Sequence, residues 1–554
     1  HPEGNGYWAR RVAAAQTGDE YKYVIVNGDQ TLERNDPYAR ALTNSIGNSI
    51  VFDPAEFDWE GDEFEMPAWN SLVIYELHVG TFNVTADGKP GDFAGLIAKL
   101  PYLKDLGINA IEIMPAMEFP GDFSWGYNMS YPFAIEHSYG GPRGFMEFIK
   151  AAHQHRIAVI LDVVYNHLGP NDIDLWRFDG WYENERGGIY FYQDERAETP
   201  WGATRPDYGR PEVRQYLRDN AVMWLGDYHV DGLRIDGSAF IRNVQGTEGN
   251  PADDLAEGWQ LLEWLNAEVD KRFPWKIMIA EDLKNNESIV TPRDQGGAGF
   301  DAQWDAVFVH PLRTVLTALK DSDRDREVVR RALEHNYRQD AFRRIIYTES
   351  HDEVANGKAR LPEEISPGNV TSWFAKKRAA LGGALTLTAP GVPMLFQGQE
   401  FLEDRWFDDR DPLHWQRTEE FAGLVNLYRN LIRLRRNQDG LSAGLVGQYL
   451  HVFHLNNRDK VLAFHRWADD GGPRNSVVVV ANFADKSLEN YRIGFPQGGL
   501  WKVRFNSDSD HYDAGFGNFA AYDVDAGEPG YDGVPASGKI AIGPYTVLIY
   551  SKDA

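Results

Sequence analysis

The chain has 554 residues, 43% hydrophobic and 25% charged, enough for about two to four globular domains. Its formal charge of −27 repels polyanions, which argues against nucleic acid as a partner, and it contains no apolar run long enough to span a membrane as a helix. It has no cysteine, so disulfides, thiolate metal sites and a cysteine nucleophile are excluded.

Residues 1–65 carry short strand-like runs such as Tyr21–Val26, with a turn signal at Asn27-Gly28, and read as part of an N-terminal β-domain. From residue 66 to 440, short β-branched runs alternate with helical patterns. Strands are expected at Leu72–Leu77, Ala110–Met114, Ile157–Val164, Val230–Asp236, Lys276–Glu281, Ala306–Val309, Ile345–Thr348 and Met394–Phe396. Helices are expected at Phe93–Leu106, Pro142–His155, 211–227, 253–270, 373–387 and 419–436. Eight apolar strands separated by helices predict an α/β fold, a (β/α)₈ TIM barrel. A long insertion, 168–210, follows the third strand, and a loop of that length is usually functional. Residues 441–554 lose the helical pattern and read as a C-terminal β-sandwich, with strand runs at Ser476–Ala481 and Thr546–Tyr550.

Chemistry in such a barrel sits at the C-terminal ends of the strands. There the sequence places Asp162 and His167 after the third strand and Arg234 and Asp236 on the fourth. Glu281 closes the fifth, His351 and Asp352 follow the seventh, and Tyr75, Glu76 and His78 lie on the first. One Asp or Glu at a strand end is more often a turn or helix cap. Polar groups at five strand ends of one barrel make a joint pattern. Two carboxyl groups about 5–5.5 Å apart across a glycosidic bond suffice for retaining displacement, provided that their environments separate their pKa values. Arg234, two residues before Asp236, lies on the same strand face and can hold Asp236 as a carboxylate. The 17 Trp and 26 Tyr offer ring faces that suit sugars, although such rings also fill cores.

Four ordered segments, Asp162-Val-Val-Tyr-Asn-His167, Gly232-Leu-Arg-Ile-Asp236, Ile279-Ala-Glu281 and Ser350-His-Asp352, resemble the motifs of the α-amylase superfamily of glycoside hydrolases. The resemblance spans about residues 70–440. It implies Asp236 as nucleophile, Glu281 as acid/base and Asp352 as the third carboxylate. Asp162, His167, Arg234 and His351 would line the subsite of the cleaved sugar, with Tyr127 stacking beneath it from Trp125-Gly-Tyr127-Asn. Trp125, Tyr75 and Gln399, the last in the eighth-strand motif Phe396-Gln-Gly-Gln-Glu400, complete the expected substrate-binding set. Asn166 corresponds to a position that binds calcium in many α-amylases and is a candidate calcium ligand; no other cofactor is implied.

Within the superfamily, Asn35-Asp-Pro-Tyr-Ala39, Tyr208-Gly-Arg-Pro-Glu-Val213 and Ser350-His-Asp-Glu-Val354 resemble 1,4-α-glucan branching enzymes. Phe119-Pro-Gly-Asp122 and Thr199-Pro-Trp-Gly202 resemble maltooligosyl trehalose trehalohydrolases. The reading is therefore a retaining enzyme that cleaves α-1,4 bonds of starch- or glycogen-like glucans and transfers the chain to form α-1,6 branches. An α-amylase-type hydrolase, a trehalohydrolase and a catalytically silent glucan-binding protein are the alternatives. A metal-dependent barrel hydrolase is disfavoured because no His-x-His pair follows the first strand. The expected partner is an α-glucan, with no nucleic acid and no membrane, and the expected state is a monomer. The chain opens at His1 rather than Met, which reads as processing or trimming; the expected location is cytoplasmic, with a secreted form as the alternative.

Overall fold

The computed structural model describes residues 2–4, 7–85, 88–468 and 475–553. Eight parallel strands close a barrel: β1 Ile74–Leu77, β2 Ala110–Ile113, β3 Ala158–Val164, β4 Gly232–Asp236, β5 Ile277–Ala280, β6 Ala302–Trp304, β7 Arg344–Ile346 and β8 Val392–Phe396, with β8 pairing back onto β1. Helices α1 Phe93–Leu106, α2 Gly141–Gln154, α3 Pro211–Gly226, α4 Ala256–Arg272, α5 Ala306–Thr317, α6 Arg326–Glu334, α7 Trp373–Thr388 and α8 Ala422–Arg435 surround it.

Alternation along each strand divides the side chains between two cores. Ile74, Ile160, Ile279, Trp304 and Met394 fill the inside of the barrel, and Phe64, Met66 and Trp69 pack against this inner cluster. Tyr75, Leu161, Leu233, Met278 and Leu395 point outward to the helices. The register sets Glu76 beside Glu112 and Asp162 beside Arg234 on the inner face.

The sixth strand is not where the apolar run Ala306–Val309 suggested. That run opens α5, and β6 is the three residues before Asp305. Asp305 is the cause: its carboxylate accepts from Val307 N and caps the helix. A four-residue apolar run does not by itself distinguish a strand from a buried helix start. Arg344 of β7 then fixes this junction. It has no exposed surface, pairs with Asp305 at 3.0 Å, and donates to the carbonyls of Ala332, Leu333 and Pro390.

The chain before the barrel forms small antiparallel pairs, including Tyr23–Asn27 with Gln30–Arg34. They brace the insertion after β3: Arg34 donates to Phe178 O and Arg177 O, and Asn27 to Asp179 O. Beyond α8 lie two antiparallel sheets. One has six strands, in the order Tyr449–Asn456, Val461–Trp467, Ser476–Asn482, Val547–Ser551, Leu500–Asn506 and Val524–Asp525. The other has three, in the order Leu488–Phe495, Val534–Ile542 and Glu528–Tyr531. They enclose Phe453, Val478, Ile493, Trp501, Ile540 and Tyr550. A buried pair, Lys377 to Asp508 at 2.7 Å, ties this domain to α7. No helix among the described residues is long and apolar enough to cross a membrane.

Arg344→Met leaves Asp305 charged and buried without its partner. The expected loss is about 3–5 kcal/mol of stability, read as a lower urea midpoint. Adding Asp305→Asn recovers part of that loss; a single variant with the parent midpoint contradicts the role given to Arg344.

Candidate active site

The C-terminal ends of the barrel strands surround a cleft of about 480 Å³. Trp125, Tyr127, His167, Trp201, Asp236 and Asp352 are among its walls. Asp236 is the last residue of β4, and Glu281 follows the last residue of β5. Asp352 stands in the loop after β7 with 45% of its side chain exposed, which makes it the most open of the three carboxylates.

Arg234 lies beneath them with no exposed surface. Its Nη1 donates to Asp162 Oδ2 at 2.6 Å and to Asp236 Oδ1 at 2.8 Å, and its Nη2 is 3.5 Å from Glu281 Oε2. The rings of Trp304 and Tyr127 lie 4.3 and 5.9 Å from the guanidinium. The other oxygen of Asp236 accepts from Asn166 Nδ2 at 2.8 Å, so each carboxylate oxygen of Asp236 has a donor. Asp162 also accepts from Tyr127 Oη at 2.6 Å. Burial, opposed by Arg234, lifts the Asp162 carboxyl to about 7.

Glu281 has a different environment. Burial pushes its carboxyl up, Arg234 pulls it back, and the negative charges of Asp236 and Asp352 raise it again, to about 8. Its Oε2 accepts from Gly237 N at 2.7 Å. This contact depends on a turn that favours glycine. Gly237 has φ 49°, and a Cβ there would stand 2.7 Å from Asn166 Nδ2. The short helix Ser238–Arg242 that follows is locked to the end of β5. Ser238 N donates to Glu281 O at 2.9 Å, and Arg242 grips Asp282 through Nε at 2.9 Å and Nη2 at 2.8 Å. Two neighbouring carboxyl groups thus differ: Asp236 is held by a cation and an amide, whereas Glu281 is lifted toward its protonated form.

His351 joins the floor from the seventh strand end. Both its backbone N and its Nδ1 meet the Glu76 carboxylate, and its Nε2 is 3.6 Å from Asp352. Burial pulls its pKa down, but Asp352 and Glu76 outweigh it and hold the imidazole near 9. Tyr127 stacks on the same ring at 5.0 Å. His167 is the opposite case. Burial lowers it to about 4, its Nδ1 donates to Asn166 Oδ1, and Trp201 stacks on it at 4.7 Å.

The structure therefore gathers Asp162, His167, Arg234, Asp236, Glu281, His351, Asp352, Trp125 and Tyr127 at one barrel mouth. Tyr75 and Gln399 lie elsewhere. Tyr75 is fully buried on the outer face of β1, where its hydroxyl donates to Glu400 and accepts from Gly398 N. Gln399 donates to Thr348 Oγ1 and likewise stays below the mouth. Period-two alternation explains the error at Tyr75: the inward residue of that strand is its neighbour Glu76. Glu112, beside Glu76 in register, is a further buried carboxyl of the floor. Burial, and then Glu76, push it well above the carboxylate range. Its alternation with Ile111 and Ile113 was the available signal.

Asn166 does not fit a calcium site. Calcium takes six to eight oxygen ligands. The Asn166 carbonyl oxygen accepts from His167, and its amide nitrogen is turned to Asp236.

The sign of the His351 shift gives a stability test. A histidine raised to about 9 contributes stability that is fully present below its unfolded value, about 6.5, and lost as pH rises through about 9. Glu76→Gln removes the counter-charge. Its thermal midpoint should fall below the parent's most at pH 6 and approach it by pH 10; a deficit constant across this range contradicts the Glu76–His351 pairing.

Comparison with known proteins identifies the family. Residues 74–175 match the α-amylase catalytic domain, and 452–553 match the α-amylase C-terminal all-beta domain. A 1,4-alpha-glucan branching enzyme, GlgB, of Oceanobacillus iheyensis is 31% identical over 543 residues, covering 91% of this chain and 81% of that protein. A malto-oligosyltrehalose trehalohydrolase of Saccharolobus solfataricus is 33% identical over 433 residues, covering 73% of this chain and 70% of its own. In fold, a crystal structure of a putative alpha amylase from Salmonella typhimurium superposes with a TM-score of 0.73 at 23% identity, covering 98% of this chain and 92% of that one. The chain belongs to the α-amylase family and is a glucan-active enzyme of the glycoside hydrolase and transferase type.

Proposed function

We propose that the protein is a 1,4-α-glucan branching enzyme that works through a covalent glycosyl-Asp236 intermediate. The observation that carries the mechanism is the shared guanidinium of Arg234, with Asp236 paired to it and Glu281 raised to about 8 beside it. Asp236 attacks the anomeric carbon of the donor glucan while Glu281 gives its proton to the departing glycosidic oxygen. Forming the ester removes the charge of Asp236, one of the charges that keeps Glu281 protonated. Glu281, having given up its proton, therefore stays ionised and is available as the base of the second half-reaction. It takes a proton from the 6-hydroxyl of an acceptor chain, whose oxygen displaces Asp236. Asp352 and the cationic His351 hold the hydroxyls of the sugar at the reacting bond, and Tyr127 supplies the ring beneath it.

The choice of a glucan hydroxyl as acceptor rests on the similarity to the Oceanobacillus branching enzyme along 81% of its length. A second reading, trehalose release by water, draws on the trehalohydrolase relative and on the Thr199–Gly202 segment.

Amylose separates the readings. Branching lowers iodine colour, creates α-1,6 linkages and releases little reducing sugar. Reducing ends formed one per cleavage overturn it in favour of hydrolysis, and trehalose released from a maltooligosyl trehalose favours the second reading. Asp236→Asn should lower turnover on the order of 10³-fold or more; a variant that still cleaves at the parent rate refutes the intermediate. The alkaline limb of kcat/KM should fall near pH 8, where Glu281 loses its proton.

A further inference from the structure

A second recess lies on the outer wall of the barrel, between α3 and α4. It opens beside Pro211 in the first turn of α3 and runs along the helices to Trp264 in the third turn of α4. The recess holds about 390 Å³, within the usual ~300–1,000 Å³ of ligand sites. Pro211, Arg214 and Gln215 line it from α3, and Gln260 and Trp264 line it from α4. Each set recurs at three- and four-residue spacing and so occupies one helix face.

The lining has the chemistry of a neutral, hydroxyl-rich ring compound. Trp264 is half-buried, and the Arg218 guanidinium lies 5.6 Å from its ring. Arg218 is itself fixed by Asp219 at 2.5 Å and Glu268 at 3.0 Å, which holds the indole in place. The exposed amides of Gln215 and Gln260 make no side-chain hydrogen bond among the described residues. Arg214 commits one guanidinium nitrogen, to Tyr208 O at 2.8 Å. An aromatic face for a pyranose ring, two amides that both donate and accept, and no carboxylate in the lining select a glucan over a cation.

We propose that the α3–α4 recess is a second glucan-binding site, which holds the polymer on the outer wall of the barrel, away from the bond being cleaved. It rests on the glucan activity of the family and not on which acceptor the enzyme uses. Only a chain long enough to reach both places gains from it, so it acts on polymer and not on short oligosaccharides.

Native gels cast with amylopectin test this. In an Asp236→Asn background, which leaves the gel polysaccharide intact, Trp264→Ala and Gln215→Ala/Gln260→Ala should each weaken retardation. Loss of one aromatic stack corresponds to about 2- to 12-fold in apparent affinity. Trp264→Phe should restore most of it. With Asp236 intact, the same variants should turn over maltoheptaose at the parent rate. Unaltered retardation in both variants overturns the proposal. So does a proportional loss of maltoheptaose turnover, which would place these residues in service of the cleft or the fold. Neither result bears on whether amylose is branched or hydrolysed.

Discussion

The mouth of the barrel depends on a single buried guanidinium. Removing a charge such as Arg234 from water costs several kcal/mol unless partners surround it. Here Asp162 and Asp236 bond it directly, and Glu281 sits beyond its second nitrogen. Each element of the site is positioned by this arrangement: Asp162 belongs to β3, Asp236 to β4 and Glu281 to the end of β5. The floor also holds more acids than cations, with Glu76 and Glu112 side by side below His351. Protons offset the excess. Burial lifts Asp162 to about 7 and Glu112 well above the carboxylate range. The burial that encloses Arg234 therefore drives Asp162, Glu112 and Glu281 toward the neutral acid, and this follows from packing alone.

Much of this was legible in the sequence because strand ends in a parallel barrel are read in order. The runs that became β3 and β4 carry Asp162, Arg234 and Asp236 at alternate positions, so their common inward face follows from the two-residue period. The same rule, applied to β1, selects Glu76 over Tyr75; Tyr75, expected to bind substrate, is instead a buried partner of Glu400. β6 was hidden by its length. Three residues carry too little periodicity, and the stronger apolar signal belonged to the first turn of α5, whose cap is Asp305. Charge states were hidden for another reason. His167 is lowered to about 4 and His351 raised to about 9. Asp352, its chain neighbour, raises His351 most, and Glu76, which reaches it from β1, adds a contribution that no local pattern shows.

The division between strand and loop also separates the buried carboxylates from the residues at the opening of the cleft. Asp236 and Glu281 stand on or directly beyond hydrogen-bonded strands, and the turn at Gly237 and the Arg242–Asp282 clasp fix their spacing. Residues that face an incoming molecule come from loops. Trp201 belongs to the insertion after β3, and Asn356 and Asp409 to the connections after β7 and β8. Trp201 is 44% exposed, rests on His167 and meets Phe240 edge-on. Its loop is held from outside by Arg34 and Asn27 of the N-terminal strands. A change in that bracing would move the cleft wall at Trp201 while leaving the Arg234 pairs intact, since they lie inside the barrel. Under the proposed mechanism, the strands carry the carboxylates that break the bond, and the braced loops carry the residues that meet the acceptor.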